Sequence, residues 1–382
     1  MPVLKASASD YTTVVKALAN AGAAVSNPQG SRSFSKGSVA FVNTSFTSSL
    51  IRLSSFLTVR PSRNLIVQSG PVDPNYTTYV TSLVFTKGFN LAAIARDTSG
   101  NFYGRINGRL YYKVSPTGVE TFIAGDGDTS YGVFIPGLGA AARFGGNGGT
   151  TQHVLDSSGN LFSVHMSTNR IIKIEPNGNA TSYAGTGVES SSDGPIGTAT
   201  FNQPNSIGID AFNTLYVFES GRKTIRKITS SGQVSTLTFS AAFTPQFSSI
   251  AVDSSGIIYV TDNQLHRVYK IIPTGPASAD IALLAGSTAG YVNGQGSAAQ
   301  FNFSIESGIC VDAFRNVYVG DTNNGSVRKI SPSGNVITIS GNGTVGPDSA
   351  TQLNYPGTPI VDLNDVLYVA TASSVRKLTP VS

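Results

Sequence analysis

The chain has 382 residues, of which 12% are charged, with one cysteine, no tryptophan and a net charge of +5. A single thiol excludes an intramolecular disulfide, and no apolar run of about eighteen residues is present to cross a membrane as a helix. No early apolar segment reads as a signal peptide, so nothing in the composition assigns a compartment beyond an intracellular default.

The charge is uneven along the chain. Residues 1–90 carry eight basic groups against Asp10 and Asp73 alone, a balance of +6, whereas residues 91–382 carry 18 basic and 19 acidic groups, a balance of −1. Residues 1–75 are expected to form a basic arm rich in Ser and Thr. A short helix is predicted at about 10–20, capped by Ser9 or Asp10, carrying Val14, Val15 and Leu18, and ended before Gly22. The arm has three readings: an organellar transit peptide, a layer packed on the rest of the chain, or a docking arm that lies on an acidic partner surface. We expect the docking arm, with Lys16, Arg32, Lys36, Arg52, Arg60 and Arg63 as its contacts.

From residue 76 onward the chain repeats. An inner-strand aspartate followed by a turn and a Tyr-Val-like strand recurs six times, anchored at Asp97, Asp156, Asp210, Asp253, Asp312 and Asp362. The steps between them are 59, 54, 43, 59 and 50 residues. Each copy continues with a strand ending in Lys (Lys113, Lys173, Lys227, Lys270, Lys329, Lys377), then a Pro/Ser-Gly turn and a further strand. Short strands separated by Gly, Pro, Asn and Ser turns at this period predict an all-β, six-bladed β-propeller of four-stranded antiparallel blades over 76–382. The last copy stops after its third strand, so a strand from about 79–86 is expected to close the last blade and remove its exposed edge.

The repeated signature resembles that of NHL-repeat propellers: Asp262, Asn263, His266, Arg267, Val268 and Lys270 in one copy, and Asp321, Asn323, Val327, Arg328 and Lys329 in the next. The first copy departs from it, with Gly104, Arg105 and Ile106 where others carry Val-x-Asp. Separately, the dozen residues SASDYTTVVKALA are similar to N-terminal segments of structural proteins from large DNA viruses. Together with the low charge this favours a virion setting, in which the propeller would be a capsid-associated, non-enzymatic module docked by its arm onto a protein assembly. The family resemblance also implies an alternative. Propeller relatives include gluconolactonase-like hydrolases and lyases with an axial site, with or without a metal.

A residue present in every copy is more simply scaffold than site. The six aspartates are expected to cap turns, with Asp first and Gly fourth at Asp97/Gly100, Asp156/Gly159 and Asp253/Gly256. The lysines are expected to snorkel or pair, and nucleic-acid binding is not expected from a segment of balance −1. Cys310 reads as a buried small hydrophobe. His266 belongs to the turn signature. His153 and His165 replace an apolar residue and an acid of the repeat, and with Glu219 they form the one candidate metal trio. Asp126 and Asp128 read as a Gly-Asp connection. No catalytic residues and no cofactor are expected. Tyr131, Phe134, Ile135, Leu138 and Tyr291, on the long loops 126–143 and 287–300, are the candidate apolar anchors for a partner.

Overall fold

The computed structural model describes residues 78–86, 94–106, 109–128, 130–145, 152–239, 246–362 and 364–381. The basic arm, its helix at 10–20 and its residues Lys16, Arg32, Lys36, Arg52, Arg60 and Arg63 lie outside the described residues. Among the described residues every regular element is a strand or a single 3-10 turn.

Each sequence copy folds as a small antiparallel meander. The first runs Ile94–Arg96, Phe102–Ile106, Leu110–Val114 and Glu120–Ala124. In the second, His153–Leu155, Leu161–His165, Arg170–Ile174 and Asn179–Ala184 pair in order, with Gly137–Leu138 added at the outer edge. The third (Pro204–Ile209 to Gln233–Phe239) and the fourth (Phe247–Val252 to Ser278–Gly286) merge into one sheet, because Thr238 and Phe239 pair in parallel with Ser278 and Ala279. The fifth runs from Ile309–Val311 to Asn335–Ser340. These small sheets are arranged as in a β-propeller.

The second strand of a copy shows why. Leu161–His165, Leu215–Glu219, Ile258–Asp262 and Val317–Asp321 are buried at every position. A strand covered on both faces needs a continuous rather than alternating apolar run. The cover comes from the neighbouring copies. Tyr111 and Ala124 of the first pack with Phe144, Leu161 and Ile172 of the second. Tyr259 and Val268 of the fourth pack with Phe301, Val317 and Val319 of the fifth. Tyr368, Ala370 and Val375 of the sixth return to Ile94, Phe102 and Val114 of the first.

The aspartates cap their turns as expected. In all six copies the carboxylate accepts the backbone N–H four residues on, at 2.8–3.1 Å. The fourth turn position lies in the left-handed region throughout. Glycine fills it in three copies, and Asn213, Arg315 and Asp365 hold it at φ 59°, 66° and 59°.

The strand expected to close the last copy does so. Thr78–Thr86 pairs antiparallel with Ser374–Val381, and Thr81 Oγ1 lies 2.8 Å from Ser340 Oγ of the fifth copy. A chain beginning at residue 76 is therefore expected to unfold in one cooperative transition. One beginning at residue 87 leaves the Ser374–Val381 edge unpaired and should aggregate, as read by light scattering and thermal melting. A soluble, equally stable chain from residue 87 would show that the closing strand is dispensable.

Candidate axial site

The first strands of consecutive copies lie side by side, and that of the sixth meets that of the first, so they surround a common axis. The residues that begin these strands meet at one end of it. Gln152, Asn205, Ser206, Ser248, Ser249, Ser307, Gly308 and Thr358 line a small mouth with room for about one water (~20 Å³), and Ile305 and Glu306 stand at its rim. Packing there is close: a Cβ at Gly308 would strike Thr358. Gln152 reaches across the axis. Its Oε1 accepts hydrogen bonds from Ser206 Oγ at 2.6 Å and from Ser249 Oγ at 3.2 Å. Ser206 Oγ in turn accepts the Ile250 N–H at 2.9 Å.

Beside the mouth, between the third and fourth copies, a cleft of about 270 Å³ is lined by Met166, Asn205, Phe218, Ser220, Gln246, Phe247, Ser248, Asn263, Gln264 and Ile305. It shares Asn205, Ser248 and Ile305 with the mouth. Only seven residues separate Phe239 from Phe247, against nineteen between Ala184 and Pro204 and twenty-two between Gly286 and Ile309. Asn205 Oδ1, on the wall common to both cavities, is buried without a hydrogen-bond partner among the described residues. Such an orphaned acceptor costs about 1–3 kcal/mol, which a ligand donor would recover.

The two histidines come together, and Glu219 does not join them. His165 Nδ1 lies 3.2 Å from the Phe144 carbonyl, and its Nε2 lies 2.7 Å from the Tyr111 hydroxyl and 3.4 Å from Arg105 Nη1. With Nδ1–H donating to the carbonyl, Nε2 is the acceptor. His153 packs edge-on against the same tyrosine, with centroids 5.6 Å apart. Burial, reinforced by the Arg105 charge, lowers the His153 pKa to about 3 and holds His165 well below the usual histidine range. Glu219 is instead bound to Arg226, at 3.0 Å. Among the described residues no three His, Cys, Asp or Glu side chains are placed to hold a metal ion. This trio does not fit one.

Some loop residues are held by the scaffold and others are exposed. Asp126 and Asp128 clasp Arg143 at 2.7 and 3.0 Å. Phe134 is partly buried against Phe144, at 6.0 Å between centroids. Tyr291 lies over the Arg328 guanidinium, 5.0 Å from its ring centroid. Tyr131, Ile135 and Leu138 are exposed. Lys329 is buried over the Tyr318 ring, and His266 takes a left-handed turn position where its Nδ1 accepts the Phe303 N–H. Residue reasoning missed the axial serines and amides. Their signal was present: Gln152, Asn205, Ser206, Ser248 and Ser249 directly precede or open the inner strands, and serine recurs at those positions in only some of the copies.

No family model matches the chain, and no curated protein matches it. The NHL resemblance therefore rests on the sequence signature alone. Solved structures do match. The chain is similar to an auxiliary nutrient binding protein from Bacteroides thetaiotaomicron, with a TM-score of 0.58 and 12% identity over 79% of this chain and 76% of that one. It is similar to a second such protein from Bacteroides ovatus, at 0.57 and 14% over 81% and 78%. A gluconolactonase from Xanthomonas campestris matches at 0.56 and 10% over 79% and 90%. These neighbours correct the expectation of a non-enzymatic virion module docked onto a capsid: these three propellers are named for gluconolactonase activity and nutrient binding, and the viral likeness of the N-terminal segment finds no support among them. What the likeness shows is the fold, a β-propeller.

Proposed function

We propose that the chain is a six-bladed, NHL-type propeller that acts as a hydrolase or lyase on a neutral, hydroxyl-bearing small molecule that rests against the axial mouth and sends one hydroxyl into it. The blade count is supported by six sequence copies and by the core that packs the sixth on the first. One observation carries the function: hydroxyl and amide side chains from five copies meet at one end of the axis, beside a cleft with no charge among its described lining residues. Amides and hydroxyls offer donors and acceptors together, as a ligand hydroxyl requires. An anionic ligand would instead call for an arginine fork.

Among the described residues of the lining Glu306 is the one with an ionisable side chain, exposed at the rim. We assign it as the general base, taking a proton from attacking water or from the substrate, while the Gln152–Ser206–Ser249 network and Asn205 hold the substrate. No step runs through a metal. Glu306→Gln is expected to lower turnover of a neutral lactone or ester about 100-fold or more, while calorimetry shows unchanged binding. A native protein that neither binds nor turns over any of a panel of neutral polyhydroxy lactones, esters and glycosides overturns the proposal.

A further inference from the structure

The cleft between the third and fourth copies has no counterpart task in holding hydroxyl groups at the mouth, and its chemistry differs. Met166, Phe218, Phe247 and Ile305 supply apolar surface, and the amides Gln246, Asn263 and Gln264 supply the polar part. Ile305 is 66% exposed although it is a large aliphatic residue. It stands where mouth and cleft join, on a turn held by Ser304 N–H donating to Ser307 Oγ at 2.9 Å. An aliphatic side chain fixed at such a junction is surface that a ligand would remove from water. At about 270 Å³ the cleft approaches the size of small-ligand sites, which are largely apolar with a few placed polar groups.

From these features we infer that the cleft is an apolar subsite. It takes a ring-sized, uncharged, aromatic or aliphatic substituent of a ligand whose hydroxylated end lies at the axial mouth. The inference rests on the mouth being a ligand site and adds the second half of that ligand. An amphiphilic ligand of this kind bridges both cavities across Asn205, Ser248 and Ile305, the three residues they share. Charged substituents are disfavoured, because none of the described lining residues of the cleft carries a charge to pair with them.

Calorimetric titration of the full chain with methyl and phenyl β-D-glucopyranoside tests this, since the two probes differ only in the group offered to the cleft. The phenyl compound is expected to bind at least tenfold more tightly. Met166→Asp, which places a charge in the apolar wall, and Gln264→Trp, which fills the cleft from an exposed turn, should each abolish that difference and leave methyl glucoside binding unchanged. Should Met166→Asp fail to fold, by circular dichroism, Gln264→Trp alone decides. Equal affinity for the two probes, or a preference that survives Gln264→Trp, overturns the subsite while leaving the axial site standing. Binding of neither probe or of any panel member overturns both.

Discussion

Arg328→Ala is expected to lower the unfolding free energy by about 3–5 kcal/mol, the range found when one partner of a buried ion pair is removed. Arg328 and Asp321 are both completely buried, 2.7 Å apart. The guanidinium also donates to the carbonyls of Gln300 (3.1 Å) and Val292 (2.9 Å) and to Asn293 Oδ1 (2.8 Å). Its plane lies against Phe301 and Tyr291. It thus ties the connection 287–303 to the fifth copy, as Arg226 ties the connection before the third through Thr200, Ser192 and Asp193. Burial raises the Asp321 pKa despite its hydrogen bonds from Asn324 and the Asn302 N–H and despite the arginine, so loss of Arg328 leaves a buried carboxylate without its counter-charge.

The repeat supplies its own control. In the fourth copy the acid persists as Asp262, but Tyr269 occupies the arginine position, and no long connection is present to be tied. Asp262 is fully buried, its Oδ1 accepts the Gln264 and Leu265 N–H groups, and its Oδ2 has no partner among the described residues. Asp321→Asn should therefore cost several kcal/mol, because it strands Arg328. Asp262→Asn keeps the turn acceptor, discards an unpaired charge, and should be neutral or stabilising within about 1 kcal/mol. Guanidinium unfolding at pH 7 reads all three. Equal losses for the two Asp→Asn variants would mean that Asp262 is held by a partner and that the repeat comparison fails.

Much of this fold was legible because the repeat states it six times. The Asp turns, the buried second strands and the need for a closing strand all follow from local pattern and from the unpaired edge it leaves. The arginine clamp was half legible: Arg226, Arg328 and Arg376 stand out in the motif, but what they grip lies some thirty residues upstream and becomes a neighbour only when the copies pack. The axial mouth was least legible. Gln152 bonds Ser206 and Ser249, 54 and 97 residues away, and only closure around the axis brings them together. A filter that set repeated residues aside left the histidines as the conspicuous exceptions. Their physical setting, a buried neutral cluster on Tyr111, made them part of the core, while plain serines and amides formed the mouth.

That cluster fixes the second large effect, a loss of stability in mild acid. An unfolded histidine takes up a proton below about 6.5, whereas folded His153 does so only near 3 and folded His165 also well below its ordinary value. Across that window the unfolded chain binds more protons, so stability rises with pH and is lost as pH falls from about 6.5 toward 3. The slope is about 1.4 kcal/mol per pH unit for each ring. Two rings should therefore remove roughly 3 kcal/mol between pH 6.5 and 5, where Asp and Glu contribute little. His153→Phe retains the ring contact with Tyr111 and gives up an Nδ1 that already lacks a partner among the described residues. It should leave stability at pH 7 nearly unchanged and halve the slope. Denaturant titrations at half-unit pH steps check this, with the imidazole resonances followed by NMR. A native-state titration of either ring near pH 6, or an undiminished slope in His153→Phe, would place the acid sensitivity elsewhere in the fold.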